Sequence, residues 1–352
     1  MFSRTGRSRA LLLGFVLLCA MNGCGARPSG ERVVSRAFYY WRGTFTLSEP
    51  ELAALRELDV RRLYLRLFDV ALERGSKEPK PVGVTALTVP APAGIEIVPT
   101  VFITVDVIRS IGPAGIRLLA ERIAGKVRSM LPALGGAAIS ELQIDCDWTG
   151  ETRGSYFALL EAIRREVASS NWRLSATVRL HQLRDRHTSG IPPVERGMLM
   201  VYNTGNPADP SVRNAIFDAA DIKGYLKSLG SYPLPLDVAL PLFSWGVVFH
   251  EGSFFVLLNN LAESDLHRPE IDSLGDDWYR LTSDIYVDGN HLFAGDRIRF
   301  EEADGRERLA IAELISRELP GDSVHLSLFH LHPSIINGHD RTDLSALYGA
   351  LR

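Results

Sequence analysis

Residues 141–151 read ELQIDCDWTGE, and their alternation decides the fold of the chain. Glu141, Gln143, Asp145 and Asp147 share one parity, whereas leucine, isoleucine, cysteine and tryptophan fill the positions between them. Successive side chains of a strand face opposite sides of the sheet. One face of this strand is therefore apolar, and the other is polar and mostly acidic. That contrast suits a strand with helices on one side and the interior of a barrel on the other.

The next strand-like run, LSATVRLHQ at residues 174–182, repeats the pattern. Ser175, Thr177, Arg179 and His181 share one parity, and the positions between them are apolar. Buried charges cost several kcal/mol each unless they are paired or hydrated. Two such faces on neighbouring strands indicate either an internal network of ion pairs or a functional site.

Strand-like runs and helical patterns alternate along most of the 352 residues. The runs lie at residues 33–41, 62–70, 95–104, 141–148, 174–182, 198–203, 236–245 and 324–331. Such alternation is typical of parallel βαβ units, and eight strands predict an α/β fold, a (β/α)8 TIM-like barrel over residues 33–352. An open doubly wound sheet is the alternative, but no glycine-rich phosphate loop follows the first strand.

Residues 246–300 break this alternation. They contain GVVFHEGSFFVLL and IYVDGNHLFAGDRIRF, which are typical of hairpins with turns at Glu251-Gly252 and Asp288-Gly289. The sequence therefore predicts a β-rich insertion between the seventh and eighth strands, lying over the mouth of the barrel.

The first 23 residues are predicted to be a signal peptide. Three arginines precede an apolar stretch of twelve residues, Ala10 to Met21, which is shorter than the about 20 residues needed to span a bilayer. Gly23-Cys24 resembles the lipobox of bacterial lipoproteins, which implies cleavage before Cys24 and lipidation of its sulfur. An ordinary signal peptide cleaved nearby is the alternative.

Residues 24–32 then form a short tether, and the expected location is the bacterial cell envelope. The glycine after Cys24, by resemblance to other lipoproteins, favours the outer membrane, with the barrel facing the periplasm. The membrane is thus one expected partner, reached through lipidated Cys24.

Net charge and cysteine content argue against a nucleic-acid-binding function and against a disulfide within the chain. Removal of residues 1–23 takes away three arginines and changes the formal net charge from −3 to −6. A mildly acidic protein is a poor candidate for nucleic-acid binding. With Cys24 lipidated, Cys146 has no partner for a disulfide within the chain, so stability must come from a large core.

The C-terminal ends of barrel strands line the active sites of this fold. Asp147 and His181 stand at two such ends, and Asp145 and Arg179 lie one layer deeper, where they could instead form a purely structural pair. Asp69 ends the second strand and could pair with Asp147 as a second carboxylate or serve as a cap or turn residue.

Aromatic residues also gather at predicted strand ends. Trp41 and Trp245 lie at the very ends of their strands and could stack against a sugar, as aromatic rings commonly do. These two are the candidate binding platform, and most of the other aromatic residues at strand ends are expected to belong to the core.

The stretch IDCDWT resembles the fourth-strand motif of chitinase-like glycoside hydrolases of the family-eighteen type, commonly D-x-x-D-x-D-x-E. Asp145 and Asp147 match its second and third aspartates. Leu142 replaces the first aspartate, and Thr149 replaces the catalytic glutamate. That glutamate protonates the leaving oxygen in the family, and the acetamido group of the substrate is the nucleophile. Thr149 can do neither, so ordinary chitinase chemistry is not expected.

The sixth strand, MLMVYN, resembles the M-x-Y-D motif of the same family, with Tyr202 matched and Asn203 in place of the acid. The whole chain also resembles a family of bacterial lipoproteins in sequence segments such as LYLRLFDV, QIDCDWT and LPLFSW. The resemblance to these lipoproteins implies a barrel like that of sugar hydrolases, but it does not imply an enzymatic activity.

These observations favour an envelope lipoprotein whose barrel binds a glycan or another polar small molecule. Hydrolysis through Asp147, assisted by Asp145, Arg179, His181 and Tyr202, is a hypothesis, with Asn203 among the substrate-binding residues. One alternative is a non-catalytic glycan-binding or envelope-assembly lipoprotein that has lost the acid.

A second alternative is a metal-dependent hydrolase in which His330 and His332 join His181 and Asp147. Neither H-E-x-x-H nor C-x-x-C is present, and no organic cofactor is expected.

Overall fold

The computed structural model describes residues 32–287 and 289–352. The predicted signal peptide at 1–23, Cys24 and nearly all of the tether lie outside the described residues. Within the described ranges, none of the helices is both long enough and apolar enough to cross a bilayer.

Eight parallel strands form a closed barrel, which confirms the predicted fold. They are β1 (Val33–Tyr40), β2 (Arg62–Leu72), β3 (Glu96–Ile103), β4 (Glu141–Asp145), β5 (Arg173–Arg179), β6 (Arg196–Met200), β7 (Leu236–Pro241) and β8 (Ser323–Phe329). Each strand pairs with its neighbours in sequence order, and β1 pairs with both β2 and β8. The sheet therefore closes on itself without a free edge among these eight strands.

Ten α-helices lie in the described ranges. They are α1 (Glu49–Glu57), α2 (Val105–Ser110), α3 (Pro113–Met130), α4 (Arg153–Ala168), α5 (Leu180–Arg184), α6 (Arg186–Ser189), α7 (Ala219–Leu226), α8 (Gly305–Glu318), α9 (Pro333–Asn337) and α10 (Arg341–Ala350). Asp218 and Asp304 accept hydrogen bonds from the first turns of α7 and α8, as N-cap residues do. In α3, residues Ile116, Leu119, Ile123 and Val127 are buried, which is the 3.6-residue spacing of a single apolar stripe.

The connection between β2 and β3 departs from the βα alternation. Residues 73–95, all of them described, contain the strand Pro79–Val82, which runs antiparallel to β2, and the short strand Ala86–Leu87. Four prolines fall in this stretch, and proline in a helix interior removes a hydrogen bond and clashes with the preceding turn. A helix is therefore excluded here by composition.

The apolar parity of β4 and β5 faces the surrounding helices. Leu142, Ile144, Leu174 and Val178 are fully buried in the main core. Trp148, just beyond β4, is also fully buried, and its indole N–H donates to the carbonyl oxygen of Ser189 at 2.8 Å. Burial of these side chains leaves the polar parity of the same two strands to face the barrel interior.

The segment between β7 and β8 forms the predicted β-rich insertion. Its five-stranded antiparallel sheet has the order Ser253–Asn259, Ser244–His250, Arg297–Glu302, Trp278–Leu281, Ile271–Gly275, and a separate hairpin pairs Ile285–Val287 with Asn290–Leu292. A second apolar core lies within it and includes Val248, Leu258 and Ile298. Glu251 and Gly252 both have positive φ, as a two-residue hairpin turn requires.

One strand boundary differs from the sequence-based expectation in this region. The seventh strand was expected to run to residue 245, but β7 ends at Pro241 and a new strand begins at Ser244. The proline cannot donate a ladder hydrogen bond, which is consistent with the end of the strand there. Trp245 is consequently a residue of the insertion and not of the barrel.

Candidate functional site

The polar faces of β4 and β5 meet inside the barrel, as the alternation predicts. The Ser175 hydroxyl donates to Glu141 at 2.5 Å, and the Thr177 hydroxyl donates to Asp145 at 2.6 Å. From β1, the Tyr39 hydroxyl donates to Gln143 at 2.6 Å. These bonds satisfy the buried polar groups in successive layers, from the N-terminal to the C-terminal end of the strands.

The layer nearest the N-terminal ends is a closed ion-pair network. The guanidinium of Arg62 contacts Glu141 at 2.9 Å and Glu96 at 2.7 Å, and the side chains of Arg62 and Glu141 are almost completely buried. Arg173 also lies 3.8 Å from Glu141, so the two carboxylates are engaged by arginines of the same layer, which fits a structural role.

The opposite end of the barrel opens into a cleft of about 580 Å³. This volume lies within the range of small-molecule sites, roughly 300–1,000 Å³. The cleft brings together eight of the nine site residues expected from the sequence, namely Trp41, Asp69, Asp145, Asp147, Arg179, Tyr202, Asn203 and Trp245. The location at the C-terminal ends of the strands is the one used by enzymes of this fold.

Arg179 is the electrostatic centre of the cleft. Its Nε–H donates to Asp147 Oδ1 at 2.5 Å, and its Nη2 lies 3.6 Å from Asp145 Oδ1. The Arg179 side chain is largely buried, whereas that of Asp147 is 52% exposed. A buried guanidinium is tolerated only when it is paired, and here one cation serves two carboxylates.

Asp145 differs from Asp147 in its environment. Burial raises the pKa of Asp145, and the negative charge of Asp147 adds to this effect. The guanidinium of Arg179 and the hydroxyl of Thr177 oppose the increase, because both stabilise the charged form of Asp145. The deeper of the two carboxyl groups is therefore the one whose proton affinity is increased.

His181 lies apart from the main cleft. The fifth strand was expected to continue to residue 182, but β5 ends at Arg179 and α5 begins at Leu180. The side chain of Gln182 caps the new helix by accepting a hydrogen bond from the backbone N–H of Arg179 at 2.8 Å. The two-residue alternation thus stops before His181, which the sequence pattern alone does not reveal.

A smaller cavity of about 220 Å³ contains His181 and Tyr225, and it shares Asp147, Arg179 and Tyr202 with the main cleft. Partial removal from water lowers the pKa of His181, and the charge of Asp147 opposes that effect. His181 therefore borders an adjoining cavity and not the main cleft.

Tyr202 and Asn203 follow β6 at the cleft wall. The Tyr202 hydroxyl is 3.1 Å from the sulfur of Met200, and burial raises the pKa of Tyr202. Asn203 has φ of 59°, a left-handed conformation that asparagine tolerates better than most residues. Its backbone N–H donates to Ile216 at 2.8 Å, which fixes the turn that exposes its side chain.

Asp69 forms a two-pronged ion pair with Arg66, with distances of 2.7 and 2.6 Å. Gly83 makes room for this pair, since a Cβ atom at that position would stand 2.6 Å from an Arg66 nitrogen. The carboxylate of Asp69 is therefore already engaged at the edge of the cleft.

Aromatic rings form a continuous wall on one side of the cleft. Phe329 packs against Trp41, Tyr202 and Phe243 with centroid distances of 5.4 to 5.8 Å, and Phe243 contacts Trp245 at 5.5 Å. Both tryptophans are partly exposed, and the Trp245 indole N–H is held by Glu301 at 2.8 Å. The wall thus presents two oriented indole rings to the cleft.

Thr149 and Glu151 are exposed and do not line the cleft. The carbonyl of Thr149 accepts a hydrogen bond from Arg153 at 2.9 Å at the start of α4. The position that resembles the catalytic glutamate therefore carries no acid, and the nearby Glu151 does not replace it.

The sequence analysis did not assign several lining residues to the cleft. Asn259 is the last residue of the insertion strand Ser253–Asn259, Asn260 directly follows it, and Phe102 comes from β3. The two-residue alternation of a barrel strand predicts which of that strand's own residues face the interior. It does not predict which residues of an insertion lie beside the strand ends.

His330 and His332 line the cleft, but a metal site with His181 is not formed. His332 Nδ1 hydrogen-bonds with Ser334 at 2.7 Å, and His181 borders the other cavity. Within residues 32–287 and 289–352, no group of three or more histidine, cysteine, aspartate or glutamate side chains has an arrangement that could hold a metal ion. The donor set for a metal-dependent hydrolase is thus not assembled in this part of the chain.

Comparisons with known proteins support the barrel assignment. No protein-family model matches the sequence, and no curated protein is detectably similar to it. Among solved structures, a chitinase from Chromobacterium violaceum has a TM-score of 0.51 and 13% identity, covering 91% of this chain and 98% of its own. The spore cortex-lytic enzyme SleL of Bacillus cereus has a TM-score of 0.52 and 15% identity, over 92% and 76% of the two chains.

A class V chitinase from Pseudomonas fluorescens has a TM-score of 0.51 and 13% identity, with 91% and 100% coverage. At these identities the likeness concerns the fold. The chain therefore has a chitinase-like TIM barrel, distantly similar to family-eighteen glycoside hydrolases.

Proposed function

We propose that this chain is an envelope lipoprotein whose barrel binds a glycan in the cleft at the C-terminal ends of its strands. One observation carries the proposal: two oriented, partly exposed indole rings, Trp41 and Trp245, stand in the same cleft as the Asp147–Arg179 pair. Aromatic faces stack on the C–H faces of sugars, and charged groups bind their hydroxyls. The chitinase-like fold of the barrel agrees with this proposal.

Binding without chitinase-type cleavage is the favoured form of this function. Thr149 offers no acid, and Arg179 engages both Asp145 and Asp147. A carboxylate paired with a guanidinium is stabilised in its charged form, which opposes the release of a proton to a leaving group.

Hydrolysis is the second candidate, and one observation favours it. The raised pKa of Asp145, beside the exposed carboxylate of Asp147, is the kind of asymmetry that lets one carboxyl act as an acid while its neighbour stays charged. In this version Asp147 is the group nearer the substrate, and Asp145 holds the proton.

A glycan array followed by product analysis tests both forms. Retention of an intact glycan supports binding, whereas shortened products that disappear with Asp147→Asn support hydrolysis. Asp106→Asn is the matched control, because Asp106 is also an exposed aspartate, is also 2.5 Å from an arginine and lies outside the cleft. Absence of any retained or cleaved glycan would overturn the proposed function.

The location in the envelope rests on Cys24 and the lipobox-like sequence around it. The protein expressed in the presence of radiolabelled palmitate should carry the label. On fractionation of the cells, it should be found in the outer-membrane fraction. Cys24→Ser should abolish the label and release the chain from that fraction. Equal labelling of both forms would contradict lipidation at this cysteine.

A further inference from the structure

His330 is a buried imidazole in the cleft wall, and one of its two ring nitrogens makes no hydrogen bond within the described part of the protein. It directly follows β8, is 7% exposed and packs between the rings of Phe329 and His332 at 5.2 and 5.7 Å. Its Nδ1 atom is buried without a hydrogen-bond partner among the described residues. The neighbouring His332, by contrast, is bonded to Ser334.

A buried ring nitrogen without a partner lowers the stability of the protein unless a bound ligand supplies the missing hydrogen bond. An unpaired buried polar group costs on the order of 1–3 kcal/mol of stability. Burial, together with His332 and Arg42, lowers the pKa of His330 to about 3, so the ring is neutral near pH 7. A neutral imidazole has one donor and one acceptor, both suited to the hydroxyl and amide groups of a sugar.

The charges around His330 constrain what kind of sugar can enter. Within the described part of the chain, each charged side chain that lines the cleft already has an ion-pair partner. Arg179 serves Asp145 and Asp147, as described above, and Asp69 is paired with Arg66. The remaining lining cation, Arg42, contacts the buried carboxylate of Glu51 at 2.7 Å.

The charged side chains that line the cleft are two arginines and three aspartates, so they carry one more negative than positive charge. An anionic ligand needs an uncommitted cation to replace the hydration that it loses on binding. The cleft would supply none without breaking an existing pair, and a neutral His330 does not add one.

Building on the proposed function, we infer that His330 is a specificity-determining residue that hydrogen-bonds a hydroxyl or amide group of an uncharged glycan. The cleft accordingly selects uncharged sugars over sugars that bear carboxylates, sulfates or phosphates. The aromatic wall supplies stacking, and His330 supplies the polar contact at the end of β8.

Isothermal titration of the full chain with four tetrasaccharides tests this inference. The probes are tetra-N-acetylchitotetraose and cellotetraose, which are uncharged, the fully deacetylated chitosan tetramer, which is cationic, and tetragalacturonate, which is anionic. We expect one of the uncharged probes to bind most tightly and tetragalacturonate to bind at least tenfold more weakly. Tightest binding of tetragalacturonate or of the chitosan tetramer would overturn the selection while leaving glycan binding intact. Absence of binding by all four would overturn the inference, whereas the proposed function would be overturned only if the glycan array also retained and cleaved no glycan.

Two variants isolate the imidazole itself. His330→Phe keeps a planar ring against Phe329 but removes the polar edge, and it should weaken the preferred uncharged probe about tenfold, as expected for the loss of one hydrogen bond. His330→Gln retains donor and acceptor capacity and should recover most of the affinity.

Thermal unfolding distinguishes this role from a structural one. The midpoint of His330→Phe should not fall, because the substitution removes an unsatisfied polar group. Wild-type affinity in both His330 variants would overturn the assignment. Equal weakening in both variants, with a lowered unfolding midpoint, would overturn it as well, since that pattern indicates a packing role.

Discussion

Arg179 is the residue on which the local electrostatics depend. It is the cation for both Asp145 and Asp147, and it comes from the last position of β5. The sequence pattern placed its side chain on the polar parity, and the structure confirms that orientation. The alternation could not reveal that one guanidinium serves two carboxylates, because that depends on the distance between neighbouring strands.

Arg179→Leu should lower the free energy of unfolding at pH 7 by about 3 kcal/mol, since it leaves the buried carboxylate of Asp145 without its cation. Urea denaturation of the variant and the wild type measures the difference. Adding Asp145→Asn to Arg179→Leu should recover a large part of the loss, because the uncompensated charge is then absent. Additive losses in the double variant would contradict this explanation.

Asp145 should also leave a signature in the pH dependence of stability. Because burial raises its pKa in the folded state, its contribution to stability is fully present below the pKa of the unfolded chain, about 3.9. That contribution is lost as the pH rises through the higher folded value.

Asp145→Asn should therefore remove a decline in stability that the wild type shows as the pH rises above about 4. Denaturant titrations at several pH values provide the comparison, with Asp106→Asn as the control that keeps the wild-type slope. Identical slopes for Asp145→Asn and the wild type would show that the carboxyl group is not perturbed in the folded protein.

At the scale of elements, the two-residue alternation predicted β4 and β5 and the face that each presents to the barrel interior. It failed where a strand passes directly into another element. β5 continues into α5 without an intervening loop, and the strand expected at residues 236–245 is divided at Pro241. His181 and Trp245 were consequently assigned to barrel strands, although they lie on a helix and on an insertion strand.

The insertion depends on a close approach at Gly246, next to Trp245. A Cβ atom at this glycine would stand 2.7 Å from Leu261 and 3.0 Å from Ile298, both of which belong to the second core. Gly246→Val should therefore destabilise the protein by about 2 kcal/mol through overpacking and should weaken glycan binding by displacing the indole.

Gly224→Ala is the matched control for this prediction, because nothing lies within 4 Å of the added atom. Thermal unfolding and glycan titration of the two variants provide the measurement. Wild-type stability and binding in Gly246→Val would show that the insertion sheet is not packed as described.

At the scale of the whole molecule, the closed barrel and the position of its insertion were predictable, because both follow from the periodicity of long segments. The cleft was predictable in part. Its barrel residues follow from strand parity and strand ends. The positions of Asn259 and Asn260 depend on how the insertion folds, and the neutral state of His330 depends on its burial after β8. The lipid anchor at Cys24 remains a prediction from the N-terminal sequence.

The central claim is that a glycan lies in this cleft against indole rings that come from distant parts of the chain, Trp41 after β1 and Trp245 in the insertion. The most direct test is titration of Trp41→Ala and Trp245→Ala with the glycan that the array retains. Trp278→Ala, on the insertion but outside the cleft, serves as the control. Each cleft variant should bind about tenfold more weakly, as expected for the loss of one stacking contact, and the control should bind like the wild type. Wild-type affinity in both cleft variants would contradict the claim.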